Sequence, residues 1–361
     1  MTTETRSIRI STPGRICLFG EHQDYLQLPV IACAISLRIR IEAQPRHDML
    51  IRLALPDIGT SVDLSLQEKP GFVHERDYFR SGLKVLREAG FAFDSGFDGT
   101  ITSTIPVNAG TSSSSALVVS WINLLSRIST QHQVLDPVRI AGYAHQAEVV
   151  EFHEPGGSMD HLTTALGHIQ YIAFSPVVSF ERLRPPLGTF VLGNSGHPKN
   201  TTAILSQTKN RTISIMKKLQ AKNPDLSYHS MTLADAETAM KTLTLEENHL
   251  LTGTLRNRDI TQDALALMRS EPFDMTRFGE LLTEHHQILR DNLGVSTPKI
   301  DRMLDAALEA GAHGGKINGS GGGGCMFVYA PSEPEKIAEA ITKEGGKTYI
   351  VSVDEGTRRD T

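Results

Sequence analysis

The stretch Pro106 to Leu117, PVNAGTSSSSAL, constrains this chain more than any other. It follows a segment of alternating character, Asp98 to Thr104, that reads as a strand. It runs into an amphipathic apolar segment, Ala116 to Ile128, that reads as a helix. Gly110 permits a tight turn between the two, and Ser112 to Ser115 then fall where the helix begins. The first turn of a helix carries unpaired N–H groups and the positive end of the helix dipole, so it favours an anion. Serine hydroxyls add donors for phosphate oxygens and an oxygen for Mg²⁺, which prefers hard oxygen ligands. A Ser-rich helix cap with no ligand accounts for the same residues, so the weight falls on what else the chain carries.

At 361 residues the chain exceeds a single typical core and suggests two domains or one elaborated one. Composition turns from strand-rich to helix-rich near residue 190, which divides the chain into 1–190 and 191–361. Thirty-six basic residues against 41 acidic ones, with no long basic run, give no support to nucleic-acid or membrane-surface binding. Cys17, Cys33 and Cys325 are too few and too scattered for a disulfide framework. The opening MTTETRSIRI lacks an apolar signal region, and no apolar run approaches a membrane span. A cytoplasmic protein with reduced thiols is expected.

The first motif is TPGRICLFGEHQDY, Thr12 to Tyr25. A strand from Ile8 enters a Gly-punctuated turn, after which Glu21, His22 and Asp24 present three polar groups within four residues. They read either as a solvated loop or as a rim that binds a polyhydroxylated ligand. Arg15 precedes the apolar run Ile16 to Phe19, an awkward place for a cation without an anionic partner. The period-two pattern from Leu37 to Val62 predicts a meander of antiparallel strands with turns at Pro45–Asp48 and Pro56–Gly59. Asp77 to Ala89 has helical spacing, and Gly90 stops it.

Pro137 opens a helix carrying Ile140, Ala144, Ala147 and Glu148, and a break at Pro155–Gly157 separates it from SMDHLTTALG, Ser158–Gly167. Asp160 there is either a helix N-terminal charge or a catalytic carboxylate exposed by the Gly156–Gly157 turn. The second strand of a pair at Ile169–Ala173 and Phe190–Leu192 ends in the polar turn GNSGHPKN, Gly193–Asn200, and the chain is then helical from Thr202 to Arg290. His145, His285 and His286 lack a third ligand at suitable spacing and read as structural or solvated, not as a zinc site. The last motif, GAHGGKINGSGGGGCMFVYA (Gly311–Ala330), is a Gly-rich turn that can bring backbone N–H groups close to phosphate. Its glycines precede a strand instead of joining a strand to a helix, which removes the dinucleotide-binding reading. A helix from Glu333, a strand at Thr348–Val353 and a charged tail close the chain.

Three Gly/Ser-bearing loops and a carboxylate-rich segment in this order resemble the GHMP small-molecule kinase superfamily, and within it the galactokinases. GRICLFGEHQDY resembles the galactokinase signature, PVNAGTSSSSAL the phosphate-binding motif and KINGSGGGGCMFVYA the third motif. HQAEVVEFHEPGGSMDHL, His145–Leu162, is similar to the family's Glu-to-Asp segment, and NSGHPKN and LTEHHQILRDNLGVSTPKID resemble further galactokinase elements. The resemblance implies an α+β, two-domain fold: a ribosomal S5 domain 2-like N-terminal domain and a ferredoxin-like C-terminal domain. It implies ATP as co-substrate and Mg²⁺ as cofactor. By the same likeness Asp160 is the catalytic base and Arg15 its charge-stabilising partner. Ser114 and Glu148 are the metal ligands. Gly110, Thr111, Ser112, Ser113, Ser114 and Ser115 hold the nucleotide phosphates, and Tyr78 lies by the adenine. Glu21, His22 and Asp24 contact sugar hydroxyls, and Gly156 and Gly157 shape the same pocket.

The implied activity is phosphorylation of the anomeric hydroxyl of a neutral aldose, galactose or a close relative. Departures fall on the sugar side: Leu26, Gln27 and Leu28 follow Asp24–Tyr25 where galactokinases continue with Asn-Gly-Gly, and Gln23 replaces a usual threonine. The alternatives are a superfamily kinase for a non-sugar acceptor such as mevalonate and a catalytically silent sugar sensor.

Overall fold

The computed structural model of the chain describes residues 7–68, 71–107, 109–197 and 201–361. Asn108 of the phosphate-loop stretch and Pro198–Asn200 of the expected turn at 193–200 lie outside the described residues.

The chain begins with a long hairpin, β1 (Ile8–Phe19) and β2 (Val30–Pro45), followed by β3 (Leu50–Leu55) and β4 (Thr60–Ser65). Helix α1 (Tyr78–Glu88), capped by the Asp77 side chain, leads to β5 (Phe97–Ser103) and then α2 (Ser113–Ile128). Helix α3 (Pro137–His145) runs on into a single π-helical turn, Gln146–Val150, before α4 (Met159–Leu166), β6 (Ile169–Ala173) and β7 (Ser179–Leu183). After β8 (Phe190–Asn194) come four helices: α5 (Thr201–Gln220), α6 (Leu233–Ala239), α7 (Leu245–Arg269) and α8 (Met275–Asp291). The chain continues through α9 (Pro298–Glu309), β9 (Gly314–Ile317), β10 (Cys325–Tyr329), α10 (Pro334–Lys343), β11 (Lys347–Val351) and β12 (Arg358–Asp360).

These strands make two sheets. The larger runs β12-β1-β2-β5-β3-β4, with the ribbon β6–β7 attached to the start of β2; the smaller runs β11-β8-β10-β9 and is antiparallel throughout. The architecture is thus α+β with two sheets, as the sequence leads one to expect. One apolar core lies between the larger sheet and α1–α4; the other joins the opposite side of β1 to the smaller sheet and helices α7–α10. Strand β1 is therefore covered on both faces, which is why Ile16–Phe19 read as a continuous apolar run and not as an alternation.

Two expectations change. The period-two segments do form β2, β3 and β4, but they are not a simple meander, because β5 inserts between β2 and β3 and pairs with β3 in parallel. The β2–β3 connection passes around the start of β5: Arg46 N–H donates to the Gly96 carbonyl, and its guanidinium grips Asp48 and Asp98. The charged tail, in turn, is structured. β12 pairs antiparallel with β1, and buried Arg38 holds the approach to it through Asp354 (2.8 Å) and the carbonyls of Glu355 (3.0 Å) and Gly356 (2.8 Å). The Thr357 hydroxyl meets Thr12 of β1 at 2.7 Å, and Ser120 of α2 donates to the same Thr12 hydroxyl. No helix of the described residues is long and apolar enough to cross a membrane.

Candidate active site

The site is assembled at the N-terminal end of α2. Ser112 caps that helix in the left-handed conformation, and Ser113–Ser115 form its first turn, so the free N–H groups face a cavity. Arg15 comes from the middle of β1 and Asp160 from the first turn of α4. Nε and one terminal nitrogen of the Arg15 guanidinium each reach an Asp160 oxygen at 2.8 Å, a bidentate pair. The other terminal nitrogen donates to the Gly110 carbonyl at 2.5 Å, and the Arg15 N–H donates to Thr111 O at 3.2 Å. Arg15 thus ties the phosphate loop to Asp160. Burial pushes the Asp160 carboxyl upward, but the Arg15 charge, the Ser112 hydroxyl, His161 and the Arg15 hydrogen bond together outweigh it and leave the group below the ordinary carboxylate value. Asp160 is ionised at neutral pH.

Asp24 stands at the same end of the cavity, on the 3-10 turn after β1. Burial, and then the charge of Asp160, raise its pKa to about 6. Gly157 leaves room for it: a Cβ there would come within 2.2 Å of Asp24 Oδ2. His22 donates Nε2–H to the Ser320 carbonyl at 3.2 Å, which leaves Nδ1 to accept the Tyr25 hydroxyl at 3.0 Å. Lys209 of α5 lies over the Tyr25 ring and donates to the Pro155 carbonyl at 3.1 Å, so α5 leans on the Gly156–Gly157 turn.

Glu21 borders the cavity, but its carboxylate is buried and engaged instead of open at a rim. Its Oε2 is 2.5 Å from the Lys316 ammonium, and its Oε1 accepts the Gly319 N–H at 2.9 Å. Both partners come from the Gly-rich third motif, and Asn257 donates to the Glu21 carbonyl. Thr111 also departs from the expected phosphate contact: its side chain is buried, and its hydroxyl reaches back to the Pro106 carbonyl.

The Gly-rich turn itself lies beneath the phosphate loop. The N–H groups of Gly319, Gly322, Gly324 and Cys325 are spent on Glu21, Val295, His197 and Ala109. The approach is so close that a Cβ on Gly324 would sit 2.7 Å from the Ala109 carbonyl. Asn318 accepts the Cys17 N–H through Oδ1 and donates Nδ2 to the Gly110 carbonyl at 2.7 Å, the same carbonyl that Arg15 holds. The third motif is thus a buttress for the two loops above it.

On the far side of the cavity, Glu148 projects from the π-helical turn, and its Oε2 meets His161 Nε2 at 2.7 Å. Ser114 is exposed into the cavity. A hydroxyl and a carboxylate are the hard oxygen donors that Mg²⁺ accepts, with phosphates and water completing its shell, so these two residues fit such an ion. Among the described residues there is no cluster of three or more His, Cys, Asp or Glu side chains suited to a metal. Of the histidines the sequence reads as structural or solvated, His285 stacks on Phe19, and His286 bonds Asp301. Tyr78 lines the cavity with Arg76 and Glu154, themselves ion-paired at 2.6 Å, and packs edge-on to Phe152. Tyr25, His161, Ser320 and Leu205 line the cavity without having been singled out in the sequence. Tyr25 and His161 directly follow Asp24 and Asp160, and adjacency was the one available sign.

Comparison with known proteins agrees with this geometry. The family model of the GHMP kinases N terminal domain matches residues 77–168, and that of the GHMP kinases C terminal matches residues 264–347. The galactokinase galactose-binding signature matches residues 2–45. A mevalonate kinase of Thermococcus gammatolerans is 30% identical over 364 residues, covering 96% of this chain and 97% of its own. One from Pyrococcus horikoshii is 29% identical and covers 96% of each chain. Among solved structures, Lactococcus lactis galactokinase complexed with galactose superposes with a TM-score of 0.86 at 20% identity, covering 99% of this chain and 96% of that one. Methanococcus jannaschii mevalonate kinase superposes with a TM-score of 0.74 at 21% identity, covering 98% and 100%.

Proposed function

Because the chain belongs to the GHMP kinase family, we propose that it transfers the terminal phosphoryl group of ATP to the anomeric hydroxyl of a neutral aldose, galactose or a close relative, in the cytoplasm. The acceptor oxygen forms a bond to phosphorus, the bond from phosphorus to the leaving ADP oxygen breaks, and the acceptor proton passes to an Asp160 oxygen. Arg15 keeps Asp160 ionised and fixes its orientation, and Asp160 in turn aims the acceptor hydroxyl. The N–H groups at the start of α2 and the hydroxyls of Ser113–Ser115 cradle the phosphates. Ser114 and Glu148 would hold Mg²⁺, which when bound supplies charge neutralisation on the phosphate oxygens. Tyr78 offers an aromatic wall to the base.

The observation that carries the acceptor assignment is Asp24. Of the charged groups lining the cavity, Glu21, Asp24, Glu148, Glu154 and Asp160 are acidic, and the two arginines, Arg15 and Arg76, are already engaged with Asp160 and Glu154. A carboxylate-bearing acceptor would bring a further negative charge beside Asp24, whose pKa burial and Asp160 already raise to about 6. A neutral ring donates hydroxyls to Asp24 instead. The match of residues 2–45 to the galactose-binding signature supports the same reading. A mevalonate acceptor is the second reading, favoured by the 30% identity to the Thermococcus gammatolerans enzyme.

ADP release measured over a panel of aldoses and mevalonate separates the two. Turnover of a neutral aldose to a product without a free reducing end is the expected result. Turnover of mevalonate with every sugar refused overturns it, and a phosphorylated sugar that still reduces shows attack by another hydroxyl.

A further inference from the structure

Glu148 sits in the π-helical turn, Gln146–Val150, that continues α3. A π-helical turn inserts a residue and re-aims the side chains that follow, and such turns are frequent at functional sites. Here it turns a glutamate inward, where it is 6% exposed and needs donors. Among the described residues a single side-chain donor meets it: His161, itself 2% exposed, with Nε2 at 2.7 Å from Oε2. A carboxylate oxygen accepts, so the imidazole donates through Nε2–H. Nδ1 is buried with no hydrogen-bond partner among the described residues, and the ring is braced edge-on by His145 with centroids 5.3 Å apart. His161 is not placed as a base for the acceptor, because the nitrogen that would take a proton, Nδ1, is buried.

We propose that His161 is a positioning residue for Glu148: its Nε2–H fixes one carboxylate oxygen and thereby presents the other to the divalent cation that accompanies the nucleotide. The inference rests on the assignment of Glu148 as a metal ligand made above. Asp160 and His161 are neighbours on α4, so one turn of helix sends Asp160 to Arg15 and His161 to Glu148. The acceptor-activating group and the cation ligand are thus held at a fixed spacing by a single peptide unit. Outer donors of this kind orient a ligand before the ion arrives, and losing one typically costs roughly 10- to 100-fold in metal affinity.

The test is a binding measurement. Calorimetry gives the affinity of the β,γ-imido analogue of ATP with Mg²⁺ and again in EDTA, and the ratio of the two reports how much of the cation the protein holds. His161→Ala should reduce that ratio about tenfold while leaving the EDTA affinity near wild type. His161→Gln, whose amide can still donate to Glu148, should restore most of it. Should the alanine variant fail to fold, His161→Gln and His161→Met make the same comparison: a ratio kept by Gln and lost by Met supports the proposal, and equal ratios overturn it. Glu148→Gln separates the two levels. If it collapses the ratio while His161→Ala leaves it unchanged, the positioning role is wrong and the ligand assignment survives. If neither variant changes the ratio, the ligand assignment fails and the proposal with it.

Discussion

Two ion pairs start from the same short segment, six residues apart, and are put to opposite uses. Arg15 pairs with Asp160 and Glu21 with Lys316, and each cation–anion contact links residues far apart in the chain. The first pair keeps a face open: Asp160 is 27% exposed beside an Arg15 at 5%. The second is sealed, with Glu21 at 3% and Lys316 at 0%. Around the sealed pair every donor is turned inward, Lys316 also donating to the Cys17 carbonyl at 2.8 Å and Gly319 to Glu21. The same residue chemistry thus gives a reactive group where one partner stays exposed to the cavity, and a rivet where both are buried. Position relative to the cavity, not residue type, decides which.

The contrast breaks first at Asp160. Asp160→Asn should lower kcat by about 10²- to 10⁴-fold, the usual worth of a positioned acid–base group, while affinity for the nucleotide analogue stays within about twofold of wild type. Near-normal kcat would make the open pair as structural as the sealed one. Lys316→Met should instead act on stability. Leaving Glu21 buried and unpaired costs about 3–5 kcal/mol, read as a lower midpoint in urea unfolding, and adding Glu21→Gln should recover part of it. An unchanged midpoint would mean that the sealed pair holds nothing together. The smallest effect concerns Asp24, which borders the open pair only. Its pKa is raised, so protonation from the neutral side sets in as pH falls through about 6, and kcat/KM for the acceptor should drop there. The sign for stability is the reverse: with a folded pKa above the unfolded one, ionised Asp24 opposes folding above pH about 6, and the penalty vanishes below the unfolded value near 4. Asp24→Asn should remove that limb of the pH profile; its persistence would assign the limb to another group.

Much of the open pair can be read in the sequence, because its chemistry is local. Arg15 ahead of an apolar run demands an anion, Asp160 follows a Gly-Gly turn, and the serines sit at a helix start. The sealed pair cannot be read so. Lys316 lies 295 residues from Glu21, and no periodicity reports a contact over that distance. The insertion of β5 between β2 and β3 was hidden for the same reason: alternation identifies strands but is silent on which strand neighbours which. Strand β7 was missed because four of its five residues are exposed and its pattern lacks a buried face. The π-helical turn leaves no trace in composition at all, since it moves side chains by one position without changing any of them.

The pairing of β12 with β1 has a consequence for how the chain assembles. Arg9 stands opposite Asp360, and Ser11 opposite Arg358, so the strand that carries Arg15 acquires its outer neighbour from residues very distant in the chain. Until then the polar groups along that edge of β1 have no partner, and the buried guanidinium of Arg38 lacks Asp354 and the carbonyls of Glu355 and Gly356. Contacts of such sequence separation form slowly, because the intervening loop must close before they reward it. The edge of β1 therefore stays open until a contact of long sequence separation closes it, and an unpaired strand edge of this kind is the sort of surface that chaperones cover.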